Sequence, residues 1–397
     1  MLLAAVPAAQ AQTWATVDDI ENPSAYARGI AADSAGNVFV AGQMNDSAGI
    51  SHAVVMKSGD HGTTWFTSDD VAAASFRHIA SSGSLTVATG LAGGTKWLIR
   101  STVDGGATWA TLDLFTHPNP KFSLTSLPSG VALDGSGNIY VAGTATETIV
   151  KGGSTSTVSR PLIRKCEAGA WRTIVTTFPA GMMTCAGTSV FAACASSNGS
   201  WQVRKSTDGG NSWILVNEYR FDASASSFPY GLAADSQGNL FVVGSGNRVT
   251  ASGRGRTATT LTERFWIVRK GTASGTQWST IDTFDLGRPP MDPDGDGNFF
   301  GAMSFANAVT VDASDNVLVT GAGVGPEENL QHWVTRRLAA GSATWTTIDE
   351  FNLIPGSSSS QAIGIAAGPA GYLFATGFSE VGGPESHEWL VRRSLTP

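Results

Sequence analysis

Short apolar runs alternate with turns rich in glycine and asparagine along most of the chain. One unit reads GIAADSAGNVFVAG over residues 29–42, and a second reads GVALDGSGNIYVAG over residues 130–143. Gly and Asn accept the positive φ that a tight turn needs, and the β-branched or aromatic run after the turn is typical of a buried strand. The pattern predicts a β-hairpin, which recurs at 231–244 and more loosely at 308–321 and 364–377.

A second hairpin follows the first in most units and is marked by tryptophan. Its first strand opens with Trp97, Trp201, Trp266 or Trp333, and another tryptophan follows 12 residues later in each case. A constant spacing implies a constant turn, which fixes the register between the two strands.

Seven tryptophans open the last strand of each unit: Trp14, Trp65, Trp109, Trp171, Trp213, Trp278 and Trp345. Self-similarity of roughly 40–50 residues built from short strands is typical of a β-propeller. We therefore expect an all-β, seven-bladed β-propeller of four-stranded blades. The predicted blades are 29–70, 76–115, 130–178, 181–219, 230–285, 307–351 and 362–395.

The two ends of the chain complement each other. The last unit ends with WLVR at 389–392 and has no outer strand after it, whereas WATVD at 14–18 is an outer strand without a blade. We expect the N-terminal strand to complete the last blade and close the ring, which removes exposed sheet edges.

Composition limits the partners and the number of domains. Charged residues make up 14% of the 397 residues, against about 25% in average domains, and glycine is abundant at 47 residues. The net charge of −7 argues against nucleic acid as a partner. No later segment reaches the roughly 18 apolar residues of a membrane span. The repeat places residues 12–397 in a single domain.

The N-terminal residues and the cysteines concern the cellular compartment of the protein. Residues 1–11 resemble the end of a signal peptide, with an apolar stretch and the small-x-small sequence AQA at 9–11, so we expect a secreted or periplasmic protein. Three cysteines leave at least one unpaired. The sequence leaves two alternatives: a Cys166–Cys185 disulfide bridge, or three buried free thiols.

Three turns carry a family resemblance: SGDHGTTW at 58–65, TVDGGATW at 102–109 and STDGGNSW at 206–213. They resemble the Asp-box of sialidase-like (BNR) propellers, and the Asp-x-x-Gly-Asn hairpins are similar to those of bacterial seven-bladed propeller repeat proteins. The resemblance implies that the Asp-box is a structural turn on the rim opposite the ligand face. The arginine triad and the acidic Asp of sialidases cannot be placed. The Tyr/Glu nucleophile pair cannot be placed either, since Glu218 and Tyr219 end an outer strand.

One arginine recurs at the same position of six units. We expect it to pair with the turn aspartates Asp33, Asp134, Asp235 and Asp312, or with the Asp-box carboxylates, rather than to bind a ligand. The six arginines are Arg100, Arg164, Arg204, Arg269, Arg336 and Arg392.

Variable connections point to one face of the ring as the functional one. The longest predicted connections are 144–160, 245–264 and 284–306. The last contains alternating oxygen ligands at Asp292, Asp294, Asp296 and Asn298, which suit a structural Ca²⁺, although the final Glu of an EF-hand loop is missing. A metal-free acidic turn is the alternative.

A Glu/His sector precedes the third strand of three consecutive units. Carboxylates near a histidine could support glycosidic cleavage or proton abstraction from a uronate, and a solvated polar rim is the alternative. Tyr26, Phe228 and Tyr230 could stack on sugar rings. The sector comprises Glu263, Glu327, Glu328, His332, Glu385, His387 and Glu388.

These patterns favour an exported binding or scaffold protein whose ligand is extracellular carbohydrate, or else another protein. The alternative is a polysaccharide-degrading enzyme, a glycoside hydrolase or lyase, that uses the variable face. The sequence contains no complete catalytic constellation, which is why recognition leads.

Overall fold

The computed structural model describes residues 13–22, 24–119, 122–123, 128–151, 153–253, 259–292, 297–326, 329–382 and 386–396. In these ranges every regular element is a β-strand, so the predicted all-β propeller arrangement of four-stranded blades is present. No helix in the described ranges is long and apolar enough to cross a membrane.

Five separate sheets have the size of one blade. Four of them contain four antiparallel strands and one contains five. The first of the five sheets is made of β1 (Trp14–Ile20), β27 (Ser359–Ala367), β28 (Leu373–Glu380) and β29 (His387–Ser394). The second has β2 (Tyr26–Ala32), β3 (Val38–Asn45), β4 (Ser51–Ser58) and β5 (Phe66–Ala72). The third has β6 (Ala74–Ser82), β7 (Leu85–Ala92), β8 (Lys96–Thr102) and β9 (Ala110–Phe115).

The other two of these sheets follow along the chain. One has β10 (Phe122–Ser123), β11 (Gly130–Leu133), β12 (Ile139–Lys151), β13 (Ser154–Glu167) and β14 (Ala170–Val175). The next has β15 (Met182–Ala186), β16 (Ser189–Ala195), β17 (Trp201–Ser206) and β18 (Ile214–Tyr219).

The remaining eight strands form one continuous sheet, so the described chain does not divide into the seven separate sheets expected. β21 pairs in parallel with β23 through Thr260 opposite Asn298 and the residues that follow, and this pairing joins two antiparallel sets of four. The first set is β19 (Ser227–Ala234), β20 (Leu240–Ser252), β21 (Thr259–Gly271) and β22 (Trp278–Phe284). The second is β23 (Asn298–Val311), β24 (Val317–Val324), β25 (Gln331–Leu338) and β26 (Trp345–Phe351).

The segments predicted as the longest connections are largely strand. Residues 144–160 belong mostly to the hairpin of β12 and β13, and 245–264 mostly to that of β20 and β21. Residues 298–306, within the third segment, open β23. The two hairpins extend lengthwise beyond the other strands of their sheets, and β-branched residues, which favour strands, are frequent in these extensions.

Ring closure follows the prediction from the sequence. β1, from the N-terminus, pairs antiparallel with β29, from the C-terminus, with Trp14 opposite Ser394 and Ile20 opposite Trp389. The same sheet therefore holds both chain ends, and the last sheet has no unpaired outer edge on β29.

Tryptophans of five third strands fill the space between neighbouring sheets. Trp97, Trp201, Trp266, Trp333 and Trp389 are fully buried. A Cβ at Gly143 of the next sheet would lie 2.3 Å from Trp97, and one at Gly42 would lie 2.5 Å from Trp389. Gly143 is therefore required by the close approach of an indole ring from the preceding sheet, and Gly42 by such an indole together with the Tyr26 carbonyl oxygen of its own sheet, which would lie 1.9 Å from the Cβ.

The recurring arginines pair across the same boundaries, but not with the partners expected from the sequence. Arg164 Nη2 lies 2.6 Å from Asp113, and Arg392 Nη2 lies 2.7 Å from Asp349. Arg100 pairs with Asp69 and Arg336 with Asp282 in the same way. Each acid lies on the outer strand of the preceding sheet or, for Asp282, of the preceding set of four strands, and most of the arginines stack on an aromatic ring there, as Arg392 does on Phe351 at 3.8 Å.

The turn aspartates are unavailable to these arginines because their own turns use them. Asp33 Oδ1 accepts hydrogen bonds from the backbone N–H groups of Ala35 and Asn37, both at 2.9 Å. In the Asp-box turn, Asp104 accepts from Thr108 N–H and Thr108 Oγ1, and these bonds hold the pKa of the Asp104 carboxyl far below its usual range. Asp60 and Asp208 behave in the same way.

Three boundaries lack the complete pair. Val175 and Asn217 stand where the acid is expected before Arg204 and Arg269. At the closing boundary the acid is present as Asp18, but Met56 of β4 replaces the arginine. Asp18 Oδ2 is buried with no hydrogen-bond partner in the described chain, and burial, with the charge of Asp19, raises the pKa of this carboxyl to about 6.

All three cysteines are free thiols, so Cys166 and Cys185 form no bridge. Burial raises the pKa of Cys185 to about 12 and that of Cys194 to about 11. Both therefore stay protonated at neutral pH and are poor nucleophiles.

We predict that ionised Asp18 destabilises the closed ring above pH 6. A carboxyl whose folded-state pKa is raised stabilises the fold fully below the unfolded value of about 3.9 and loses that contribution as pH rises through about 6. Asp18→Asn should match the wild type in melting temperature near pH 4. At pH 7.5 it should exceed the wild type by about 1–2 kcal/mol in unfolding free energy, allowing for solvent screening.

Met56→Arg provides the matched test, because it supplies the missing partner only while Asp18 is present. It should raise the melting temperature at pH 7.5 in the wild-type background and not in Asp18→Asn. A difference between Asp18→Asn and wild type that is the same at both pH values would contradict the prediction.

Candidate functional site

A cavity lies at the centre of the ring. Its volume is about 310 Å³, and residues of seven inner strands line it: β2, β6, β11, β15, β19, β23 and β27. Each of these strands contacts the next, and β27 contacts β2 to complete the circle. A volume of this size lies at the lower end of small-molecule sites, which occupy about 300–1,000 Å³.

β-bulges direct single side chains toward this cavity. In five of the seven inner strands, β2, β6, β19, β23 and β27, the pairing with the second strand shifts register by one residue, for example between Ala27 and Gly29 and between Phe76 and His78. A bulge leaves one extra residue and re-aims its side chain. The extra residues, all of which line the cavity, are Arg28, Arg77, Tyr230, Asn307 and Ile363.

Two adjacent bulges make the cavity cationic. Arg28 and Arg77 lie on the neighbouring strands β2 and β6, and burial together with the charge of Arg77 lowers the pKa of Arg28. No carboxylate of the described residues forms an ion pair with either guanidinium. The cavity lining within the described ranges contains these two cations and no acid.

His78 adds no charge at neutral pH. Burial and the nearby Arg77 charge lower the pKa of this imidazole to about 3. Its Nε2 is buried and has no hydrogen-bond partner in the described part of the chain.

Tyr26 and His387, predicted for different roles, lie together near this cavity. Tyr26 Oη is 2.8 Å from His387 Nδ1, and the two rings are tilted with centroids 4.4 Å apart. The guanidinium of Arg28 lies over the Tyr26 ring at 4.3 Å. Glu380 lies on the other side of the imidazole, with its carboxylate 3.7 Å from His387 Nε2.

The other described members of the Glu/His sector have separate partners. Glu263 is bound by Arg248, whose Nη2 lies 2.6 Å from the carboxylate. His332 Nδ1 lies 3.1 Å from Glu350 on the outer strand of its own sheet. Burial and the charges of Asp19 and Glu21 raise the pKa of Glu388. Glu327, Glu328 and Glu385 lie outside the described residues.

Of the remaining predicted ligand residues, Tyr230 lines the cavity and Phe228 is half-buried two residues earlier on β19. Asp294 and Asp296 lie outside the described residues. Asp292 Oδ2 accepts a hydrogen bond from Gly297 N–H at 3.0 Å, and Asn298 Oδ1 accepts one from Thr260 Oγ1 at 2.5 Å. The described residues contain no group of three or more potential metal ligands among His, Cys, Asp and Glu.

Sequence reasoning missed Arg28, Arg77 and Asn307. Arg28 and Asn307 immediately precede predicted hairpins, as Tyr230 and Ile363 do, whereas no such hairpin is predicted after Arg77. The residue type at this position varies widely although the neighbouring residues repeat, and this contrast could have identified the cavity residues from the sequence.

Comparison with known proteins agrees with the propeller fold. The sequence model of the SBBP family, described as a beta-propeller repeat, matches residues 122–149 and 222–248. No curated protein matches the chain.

Solved structures give a likeness of fold only. The RRP9 WD40 repeats align with a TM-score of 0.56 and 10% identity over 96% of this chain and 98% of that one. A Dyadobacter fermentans protein of unknown function aligns with a TM-score of 0.46 and 13% identity over 96% and 99% of the two chains. Trypanosoma rangeli sialidase aligns with a TM-score of 0.45 and 11% identity over 94% of this chain and 55% of its own.

Proposed function

We propose that this chain is an exported, seven-bladed propeller that binds a carbohydrate in its central cavity. The observation that supports the proposal most strongly is the cavity itself, with its bulge side chains aimed inward from different strands. Binding sites place a few polar groups among apolar walls, and this lining has that composition.

The blade count rests on how the eight-stranded sheet is joined. The pairing of β21 with β23 is parallel and involves only the extensions of the two strands, while each set of four is antiparallel like the other sheets. We therefore count this sheet as two fused blades, which gives seven with the five separate ones. A ring of seven inner strands around the cavity agrees with this count.

Aromatic side chains favour a sugar over a wholly apolar ligand. Tyr230 lines the cavity, with its hydroxyl 3.5 Å from Ser245 Oγ, and Tyr26 and Phe228 lie near the starts of the inner strands β2 and β19. Such rings cover the apolar face of a pyranose while a hydroxyl remains free to hydrogen-bond. Asn307, whose Nδ2 donates to Ala362 O at 2.7 Å, adds a fixed amide.

Isothermal titration calorimetry against neutral and acidic oligosaccharides tests this proposal. At least one member should bind, and Tyr230→Ala should weaken that binding by about tenfold, equivalent to about 1.4 kcal/mol. Tyr372→Ala is the matched control, because Tyr372 stacks on His61 of an Asp-box turn rather than lining the cavity. Equal losses in both variants, or no binding across the panel, would refute carbohydrate recognition at this cavity.

A lyase is the second candidate, and the Tyr26–His387 hydrogen bond favours it. In β-elimination, a base removes the proton α to a uronate carboxylate, the bond from C4 to the glycosidic oxygen breaks, and that oxygen gains a proton. A phenol and an imidazole sharing one proton can serve as base and acid. Hydrolysis would instead require two carboxylates, and none lines the described cavity.

Release of unsaturated product from a uronate polymer would establish the lyase. Turnover should then fall at least a hundredfold in Tyr26→Phe and in His387→Ala. Loss with Glu263→Gln or His332→Ala, and none with Tyr26→Phe, would instead place the chemistry in the Glu/His sector. Without turnover of any polymer, the binding function stands alone.

A structural Ca²⁺ at Asp292, Asp294, Asp296 and Asn298 remains part of the proposal. Such an ion would hold the segment that leads into β23 and thereby the junction of the eight-stranded sheet. EDTA should lower the melting temperature by several degrees, and added Ca²⁺ should restore it. An Asp292→Asn variant should lose this response, and an EDTA-insensitive wild type would remove the ion from the proposal.

A further inference from the structure

Arg28 and Arg77 stand out because they are the charged side chains at the centre of an acidic protein. The whole chain has a net charge of −7, whereas the described cavity lining carries two guanidiniums and no carboxylate. Of the six recurring arginines, five stack on aromatic rings and four pair with aspartates. Arg28 has the aromatic contact, through Tyr26, but neither it nor Arg77 has a carboxylate partner among the described residues.

No opposite charge among the described residues offsets either guanidinium. Burial lowers the pKa of both groups, and the charge of Arg77 lowers that of Arg28 further. Two like charges on adjacent strands repel each other, although the Arg77 side chain is exposed and solvent weakens the repulsion there. An arrangement that disfavours the free protein is typical of a binding site that a ligand completes.

We infer that Arg28 and Arg77 form an oxyanion site in the central cavity, and that the ligand is an acidic saccharide whose carboxylate they receive. The inference rests on the proposed function in taking the ligand to be a saccharide. Guanidinium groups present planar pairs of N–H donors that match the two oxygens of a carboxylate. Both arginines are the extra residues of β-bulges, so their backbones are fixed by the strands on either side.

The neighbouring side chains fit a sugar acid. The Arg28 guanidinium already lies against the Tyr26 ring, 4.3 Å from its centroid, which limits its freedom before a ligand binds. Tyr230 and Asn307, on strands β19 and β23, line the same cavity and offer a ring and an amide to the rest of a pyranose. His78 beside Arg77 stays neutral at pH 7, because its pKa is lowered to about 3, and so does not compete for the carboxylate.

The test compares two oligosaccharides of equal length, one of glucuronate and one of glucose, by calorimetry at low and high salt. The acidic one should bind at least a hundredfold tighter, and its affinity should fall as salt rises. Arg28→Gln and Arg77→Gln should each weaken it at least tenfold. Arg160→Gln, at an exposed position of β13, is the control and should change nothing.

Melting temperature separates loss of the site from loss of the fold. Arg28→Gln and Arg77→Gln each remove one of two repelling charges, so neither should melt below the wild type without ligand. If both melt lower, the arginines support the fold and the inference fails.

Two further probes, inorganic phosphate and succinate, distinguish the inference from the proposed function. Equal binding of both oligosaccharides, unchanged in the arginine variants, would leave carbohydrate recognition standing and refute the anion site. Binding of phosphate or succinate alone, lost in both variants, would support the oxyanion site and refute the saccharide. Binding of none of the four probes would refute both.

Discussion

Contact between neighbouring sheets is the constraint on which the rest of this structure depends. A four-stranded sheet cannot bury both faces by itself, so each sheet here is covered by the next around the ring. The indole of Trp97 reaches Gly143 of the following sheet, and Trp389 reaches Gly42 across the closing boundary. Burying roughly 200 Å² of indole surface at about 25 cal/mol per Å² contributes about 5 kcal/mol at each such position before entropy is counted.

The Arg–Asp pairs fix the alignment of neighbouring sheets. An indole in a glycine-lined gap fixes how close two sheets lie, whereas the bidentate contact of Arg392 with Asp349 fixes how they are aligned. The pair is nearly buried, so loss of one partner would leave an unpaired charge, at a cost of about 3–5 kcal/mol. Sheets held at a fixed distance and alignment set the width of the cavity that their inner strands surround.

Much of the fold could be predicted because its signals are local. The Asp-x-x-Gly-Asn turns and the 12-residue tryptophan spacing each report the geometry of a single hairpin. The partner of Arg164 could not be found in this way, because Asp113 lies on another sheet and 51 residues away. The parallel pairing of β21 with β23 was hidden for the same reason, since nothing within either segment indicates the other.

The candidate site was harder to predict because its residues break the repeat. Recurrence along the chain marks structural roles, such as those of Asp104 and Arg336, and so says nothing of which single positions line the cavity. A bulge lets one position vary freely while its neighbours keep the strand, so chemistry can change there without loss of the ring. Tyr26 and His387 illustrate a second limit, because a hydrogen bond between residues 361 apart exists only once the ring has closed.

The distribution of charge connects these observations. Acids neutralise arginines at four described boundaries, yet the same protein leaves Arg28 and Arg77 without acids at its centre and leaves Asp18 without an arginine at its closing boundary. At the boundary the uncompensated charge is tolerated because the buried Trp389 packs against Gly42 and holds the two sheets together. At the centre no pairing depends on the two arginine side chains, since the bulges remove them from the sheet face. Their charge is therefore free of a structural role, which is the condition for a position to be shaped by what it binds.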